Sequence, residues 1–212
     1  MVDRVASSYD ALAEEYARRI FDELKDKPFD RQLLDGFAER IKGKGLACDM
    51  GCGPGHVARY LHERGVDVFG LDLSAGMLGA ARRLNPGLQF VQGSMVSLGL
   101  RSNALGGITA LYSIIHLLGE QFVFALREFQ RVLRPGAFAL IAFHLGSEVL
   151  HENELWGKRI SLDLRLFTTN EVVRGLQQAG FKIEEAVERD PYAPEVEYQS
   201  RRGYVLAMKP DH

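Results

Sequence analysis

Cysteine is scarce in this 212-residue chain, and long apolar runs are missing. Cys48 and Cys52 lie too close together for a disulfide framework, and no further Cys or His cluster has zinc spacing, so we expect no metal. No apolar run approaches the roughly 20 residues of a membrane helix. Met1 to Arg4 lack the basic-then-apolar order of a signal peptide. We expect a cytoplasmic protein without membrane contact.

An excess of one charge is also lacking. Twenty-six basic residues stand against 28 acidic ones, for a net charge of −2. This balance provides no positive field for nucleic acid, so a nucleic-acid partner is not expected. The hydrophobic content of 46% is ordinary for a globular protein. Without repeats or low-complexity tracts, the composition predicts a single domain over residues 1–212.

Three glycines at alternate positions, Gly51, Gly53 and Gly55, follow a short apolar run, and a helical pattern begins next. Glycines in such a strand–turn–helix unit permit positive φ and close approach of a ligand. The spacing G-x-G-x-G differs from the dinucleotide loop, and no Lys-Ser or Lys-Thr pair follows as in a P-loop. Asp49, just before the loop, disfavours a phosphate and suits a ligand that carries positive charge.

A second acidic residue follows about 20 positions later. Residues 66–73 form a pattern typical of a buried strand, with Asp72 at its end. A carboxylate at this place can accept hydrogen bonds from a ribose diol. The alternative is that Asp72 caps the next helix, which Ser74 can do equally well.

These motifs resemble those of a known family. The run DMGCGPG, residues 49–55, resembles the first motif of class I S-adenosylmethionine-dependent methyltransferases. The segment around Tyr9 and Tyr16 is similar to the family's Y-D-x-x-A-x-x-Y pattern, and RVLRPGAFALIAF, residues 131–143, is similar to its fifth-strand signature. The resemblance extends from Tyr9 to Met208. It implies S-adenosyl-L-methionine as the cofactor.

The resemblance also implies which residues hold that cofactor. Asp72 is expected at the ribose and the segment from Gly93 at the adenine, where Ser94 replaces the family's usual Asp. Tyr9 and Tyr16 can instead be buried helix aromatics, and a Met is often plain core. The full predicted set is Tyr9, Tyr16, Asp49, Gly51, Cys52, Gly53, Gly55, Asp72, Leu73, Met77, Gly93, Ser94, Met95 and Leu111.

Catalysis of this kind requires alignment more than acid–base chemistry, because a sulfonium methyl group is already activated. A base is optional, and His is the usual choice. The best candidate is His116, in the segment that leaves the fourth predicted strand. The other catalytic candidates are Tyr112 and His144. The alternative for His116 is a buried side chain that bonds a backbone carbonyl.

Strand and helix patterns alternate along the chain, which predicts an α/β fold. The resemblance implies a Rossmann-like class I methyltransferase fold, with a seven-stranded mostly parallel sheet, a C-terminal antiparallel strand and helices on both faces. The predicted strands are residues 46–50, 66–73, 88–92, 108–112, 137–143, 181–187 and 204–208. The predicted parts are N-terminal helices (1–43), a cofactor-binding core (46–144), a substrate lid (145–167) and a C-terminal helix with hairpin strands (168–212).

The predicted function is methyl transfer from S-adenosyl-L-methionine to a small molecule, by a monomer or homodimer. The lid offers four side chains to select the acceptor: His151, Trp156, Arg159 and Arg165. Either arginine can pair with a substrate carboxylate. The Asn-Pro-Pro-aromatic motif is absent, which argues against base or amide nitrogen as the acceptor. Two alternatives remain, a protein or peptide methyltransferase and a non-catalytic cofactor-binding scaffold, and a dehydrogenase is a weaker third.

Overall fold

The computed structural model describes residues 2–211, so the two terminal positions of the predicted domain, 1 and 212, lie outside it. The helices are α1 (Val2–Ile20), α2 (Pro28–Ile41), α3 (His56–His62), α4 (Ala75–Leu84), α5 (Glu120–Val132) and α6 (Thr169–Gln178). The strands are β1 (Ala47–Met50), β2 (Val68–Asp72), β3 (Gln89–Gln92), β4 (Leu105–Leu111), β5 (Leu133–His144), β6 (Val149–Leu155), β7 (Lys158–Arg165), β8 (Lys182–Arg189) and β9 (Arg202–Met208). Two 3-10 turns cover Glu23–Asp26 and Ile114–His116.

Seven strands form one sheet in the order β3-β2-β1-β4-β5-β9-β8. The strands from β1 to β5 pair in parallel, and β9 is antiparallel to both of its neighbours. The predicted fold class is confirmed. Strand order reverses direction between β1 and β4, and the carboxyl ends of strands at such a switch point border a crevice suited to ligands.

Helices cover both faces of the sheet, which explains why β1 is buried along its whole length. One core cluster lies against α5 and α6, and the other lies against α2, α3 and α4. Alternate side chains of β5 pack into the two cores. Ile141 and Phe143 belong to the first, and Phe138 and Leu140 belong to the second.

The predicted lid has regular structure that its sequence did not reveal. β6 and β7 form a separate antiparallel hairpin. Its turn places Trp156 and Gly157 at φ of 51° and 76°, the left-handed conformations that a type I′ turn requires. On β7, Ile160 and Leu162 pack against Leu12 of α1. A hairpin was not predicted because β6 is mostly exposed and shows no apolar alternation.

Two absences bear on the expectations from composition. Among residues 2–211, no helix combines the length and the hydropathy that crossing a bilayer requires. Within the same range, no group of three or more His, Cys, Asp or Glu side chains is arranged to hold a metal ion. Cys48 and Cys52 are both buried free thiols.

Candidate functional site

A cavity lies at the carboxyl ends of β1, β2 and β4, beneath α1. It brings together residues from segments that are far apart in the sequence. Of the predicted cofactor-binding residues, all except Gly55 line it. Two of the catalytic candidates, Tyr112 and His116, line it as well, whereas His144 does not.

The three loop glycines have different physical roles. Gly51 has φ of +72°, and a Cβ there would lie 2.4 Å from the Cβ of Ser113. Gly55 has φ of +82°, and its Cβ would lie 2.7 Å from the Phe90 ring, so this glycine permits packing of the loop onto the core. A Cβ on Gly53 would meet only the Tyr16 ring, at 3.8 Å. Gly53 therefore presents its backbone to open space in the cavity.

Asp72 anchors the loop from β2. Its Oδ2 accepts a hydrogen bond from the Gly53 amide at 2.9 Å, and its Oδ1 accepts one from the Ser74 amide at 2.9 Å. Ser74 caps α4, because its hydroxyl accepts from the Met77 amide. Burial raises the pKa of Asp72. Each carboxylate oxygen retains a second acceptor position, so bonding to a ribose diol remains available to this side chain.

Asp49 has one oxygen paired and one without a partner. Its Oδ1 accepts from the Thr109 hydroxyl at 2.8 Å, across the β1–β4 register. Its Oδ2 is buried and has no hydrogen-bond partner among the described residues. Burial raises the pKa of Asp49 to about 6. The hydroxyl of Thr109 and the backbone amide of Ala58 both act against this rise in the pKa.

His116 is held at both nitrogens. Its Nδ1 lies 3.2 Å from the Asp163 carbonyl, which can only accept, so Nδ1 carries the hydrogen. Its Nε2, 2.7 Å from the Tyr9 hydroxyl, is then the acceptor, and Tyr9 donates. Burial lowers the pKa of His116 to about 4. A weak base whose lone pair is already bonded is poorly suited to direct proton removal, so the general-base prediction gains no support.

The hydroxyl of Tyr112 bonds away from the cavity. It lies 2.8 Å from the Tyr204 hydroxyl and 3.2 Å from Asp30 Oδ1, and neither partner lines the cavity. His144 lies behind the Tyr112 ring, and the centroids are 5.2 Å apart. Its Nδ1 accepts from Arg202, and burial together with that positive charge lowers its pKa to about 3. The catalytic predictions for Tyr112 and His144 therefore stay untested and lack geometric support.

The cover of the cavity comes from α1 instead of the predicted lid. Val5, Ala6, Tyr9 and Tyr16 of α1 line the cavity. The β6–β7 hairpin packs against this helix, and Ser8 bonds the backbone of β7 at Ser161. None of the four side chains expected to select the acceptor lines the cavity.

Those four side chains have other partners or face solvent. Trp156 packs on the Tyr16 ring, with centroids 5.8 Å apart. Arg165 pairs with Glu171, and His151 pairs with Asp163. Arg159 is exposed. The expectation that these side chains select the acceptor, and that Arg159 or Arg165 pairs with its carboxylate, therefore finds no support in the geometry.

Sequence reasoning missed Glu23 and His56, which both line the cavity. His56 Nε2 lies 3.0 Å from Glu23 Oε1, and Lys27 pairs with the other oxygen of Glu23 at 2.6 Å. Although burial raises the pKa of Glu23, hydrogen bonds from His56 and Lys27 hold it at about 2. Glu23 lies in the charged run ELKDK, which is typical of a solvated turn. The sequence therefore did not indicate that the Glu23 side chain is buried.

The lining of the cavity is strongly biased in charge. Within the described range, it contains three carboxylates, from Glu23, Asp49 and Asp72, and neither Lys nor Arg. Such a lining suits a ligand that carries positive charge and disfavours an anion. This bias agrees with the ligand chemistry expected from Asp49 alone.

Comparison with known proteins gives consistent results. A family described as "Methyltransferase domain" matches residues 48–141. A malonyl-[acyl-carrier protein] O-methyltransferase of Enterobacter lignolyticus is 30% identical over 137 residues, which cover 62% of this chain and 54% of that protein. The chain spans about half the length of the curated relatives it matches.

Two solved structures resemble the whole chain. A complex of DhpI with SAH has a TM-score of 0.75 at 18% identity, and the likeness covers 100% of this chain and 98% of that one. The [4+2]-cyclase SpnF has a TM-score of 0.76 at 18% identity, with the same coverage. At such low identity these likenesses establish the fold alone, and one fold can serve different reactions.

Proposed function

We propose that the chain is a class I S-adenosylmethionine-dependent methyltransferase, which transfers a methyl group from S-adenosyl-L-methionine to a small-molecule acceptor. The match to a methyltransferase domain over residues 48–141 and the likeness to methyltransferase relatives support the cofactor and the class of enzyme. The reaction of this chain and its acceptor are proposals. The observation that carries them is the acid-lined cavity at the switch point of the sheet.

The residues of the cavity fit this cofactor. The carboxylate of Asp49 in the wall favours a positively charged group nearby, such as an α-ammonium. Gly53 leaves open space where a side chain would otherwise stand. Asp72 keeps acceptor positions at the end of β2 for a ribose diol. The three carboxylates balance the positive charge that a sulfonium and an ammonium bring.

The cofactor, when bound, supplies an electrophilic methyl group, and the chain supplies alignment and exclusion of water. α1 closes the cavity from above and is held there by the β6–β7 hairpin. The Tyr9 hydroxyl, which donates to His116, keeps its own lone pairs available to accept a hydrogen bond from an acceptor hydroxyl or amine. His116 thereby fixes the direction of the Tyr9 hydroxyl.

The lining also restricts the acceptor. An anionic group would enter a cavity with three carboxylates and, among described residues, no Lys or Arg to neutralise it. We therefore favour a neutral or cationic acceptor, such as a phenol, an alcohol or an amine. A helix that covers the cavity supports a small molecule over a peptide, for which an open groove would be expected.

Calorimetric titration tests the proposal. We expect S-adenosyl-L-methionine and S-adenosylhomocysteine to bind and NAD to bind weakly or not at all. Asp72→Ala should weaken both sulfur nucleosides by about tenfold or more, because it removes a charged acceptor and releases the Gly53 amide. Asp67→Ala, on the exposed start of the same segment, is the matched control and should change little.

A screen of methyl transfer to phenols, alcohols, amines and small carboxylates then identifies the acceptor. Tight NAD binding, or failure of both sulfur nucleosides to bind, refutes the function. Turnover confined to carboxylates refutes the proposed acceptor charge.

Location and assembly belong to the same proposal. Two buried free thiols suit the reducing cytoplasm. We propose a cytoplasmic monomer or homodimer that does not bind nucleic acid, and sedimentation of the purified chain measures its oligomeric state.

A further inference from the structure

Asp10 of α1 joins the helix that covers the cavity to the first turn of α4. Its Oδ1 accepts a hydrogen bond from the Ser74 hydroxyl at 2.5 Å and a second from the Gly76 amide at 2.8 Å. Asp10 directly follows Tyr9, which lines the cavity. The two bonds therefore hold α1 against α4 at the turn of α1 that carries this tyrosine.

The two helices approach closely at this point. A Cβ on Gly76 would lie 3.0 Å from the Cα of Asp10 and 3.2 Å from the Cβ of Ala13, so a larger residue would displace α1. Ser74 is fully buried, and its hydroxyl also accepts from the Met77 amide. Because this second bond caps α4, the cap does not depend on Asp10. Asp10 instead provides the connection between the two helices.

The connection continues from α4 to the glycine loop. The Ser74 amide donates to Asp72 Oδ1, and Asp72 Oδ2 accepts from the Gly53 amide, each at 2.9 Å. Asp10, Ser74, Asp72 and Gly53 therefore form a series of hydrogen-bonded residues that runs from the covering helix to the loop. Burial raises the pKa of Asp72, and the nearby charge of Asp10 acts in the same direction. Asp10 is thus close to Asp72, although it does not line the cavity.

We propose that Asp10 is a positioning residue for the cofactor. It keeps α1 closed over the cavity and, through Ser74, it keeps Asp72 in the position from which that carboxylate binds the ribose. Movement of α1 away from α4 requires both bonds of Asp10 to break, so Asp10 slows release of the bound cofactor. This proposal rests on the proposed function, since it assumes that Asp72 binds the ribose of S-adenosyl-L-methionine.

The rates at which S-adenosylhomocysteine binds and dissociates separate this role from general support of the fold. Surface plasmon resonance on the immobilised chain measures both rates. In Asp10→Ala the dissociation rate should rise by about fivefold or more, because two hydrogen bonds to a carboxylate are lost. The association rate should stay within about threefold. A variant that is only less well folded binds more slowly instead, because a smaller fraction of its molecules is competent to bind.

Two further variants complete the test. The side-chain oxygen of Asp10→Asn can still accept from the Ser74 hydroxyl and the Gly76 amide, so its dissociation rate should stay within about threefold of that of the unmodified chain. Glu14→Ala is the matched control and should alter neither rate. Glu14 lies one turn further along α1 and pairs with Arg83 of α4 at 2.8 Å, in an exposed ion pair outside this series. Urea unfolding establishes that each variant is folded.

Three outcomes overturn the proposal. The first is an unchanged dissociation rate in Asp10→Ala. The second is a loss of affinity that comes entirely from slower association, which indicates a structural role only. The third is dissociation from Asp10→Asn as fast as from Asp10→Ala, which excludes action through these hydrogen bonds. If the unmodified chain does not bind S-adenosylhomocysteine, the proposed function fails along with the proposal. If it binds, and Asp10→Ala releases the ligand equally slowly, the proposed function stands and the positioning role does not.

Discussion

Replacing His116 by glutamine tests whether this histidine is neutral in the folded protein. Burial lowers its pKa from 6.5 to about 4. The unfolded chain keeps the ordinary value, so it binds more protons than the folded chain between these two pH values. Stability from this group is therefore fully present above about pH 6.5 and is lost as the pH falls toward about 4.

The expected loss follows from the size of the shift. A decrease from 6.5 to about 4, at about 1.4 kcal/mol per pH unit, corresponds to roughly 3 kcal/mol. Because the ring borders the cavity and keeps some contact with solvent, we expect the loss of folding stability to be about 2–3 kcal/mol. Glutamine does not titrate, yet its amide offers a donor to the Asp163 carbonyl and an acceptor to the Tyr9 hydroxyl.

Urea unfolding followed by circular dichroism between about pH 7 and about pH 4 measures the effect. The unmodified chain should lose about 2–3 kcal/mol more stability over this range than His116→Gln. His62→Gln, at an exposed position on α3, serves as the control and should follow the unmodified chain. If the two curves for the unmodified chain and His116→Gln stay parallel within about 1 kcal/mol, His116 is not neutral and the reasoning about its hydrogen bonds is wrong.

Three further predictions concern the loop, the cover and the buried charges. Gly51→Ala should lower the free energy of unfolding in urea by at least about 2 kcal/mol, because Gly51 has φ of +72° and the Cβ of Ser113 is close. Gly79→Ala is the control, and it should be neutral or stabilising because a Cβ there meets open space. Arg189→Met leaves the carboxylates of Asp30 and Glu197 without their shared cation and should destabilise by about 3–5 kcal/mol, against less than about 1 kcal/mol for exposed Arg201→Met. Equal losses would contradict that estimate. Tyr9→Phe should preserve cofactor affinity within about threefold but slow methyl transfer by about tenfold or more; an unchanged rate in a methyl-transfer assay would remove Tyr9 from alignment.

Local sequence predicted that the residues around the glycine loop lie together, and their role in binding a cofactor stays a prediction. Asp49, the glycine loop and Asp72 lie within 24 positions of one another, in consecutive elements whose type and order follow from periodicity and turn residues. The parallel register of β1 and β2 then places Asp49 and Asp72 near the same edge of the sheet. Their burial and the unpaired oxygen of Asp49 required coordinates.

The opposite side of the cavity, around Tyr9 and His116, was predicted less well, for a physical reason. Tyr9 and His116 meet across 107 positions of sequence, and Asp163 joins them from the hairpin. Sequence patterns report which face of an element is apolar but not which remote element covers it. His116 therefore read as a base, whereas its contacts make it the acceptor of a tyrosine hydrogen bond.

The sequence by itself determined the order of the core strands and helices, the glycine loop and the two acids beside it, because those features depend on neighbours in the chain. Only the tertiary structure decided that α1 covers the cavity, that Glu23 and His56 enter its wall, and that His144 lies outside it. These contacts join segments that are far apart in the sequence, and no local sequence pattern indicates that they meet. The charge of the cavity depends on which side chains line it, so it could be determined only from the folded structure.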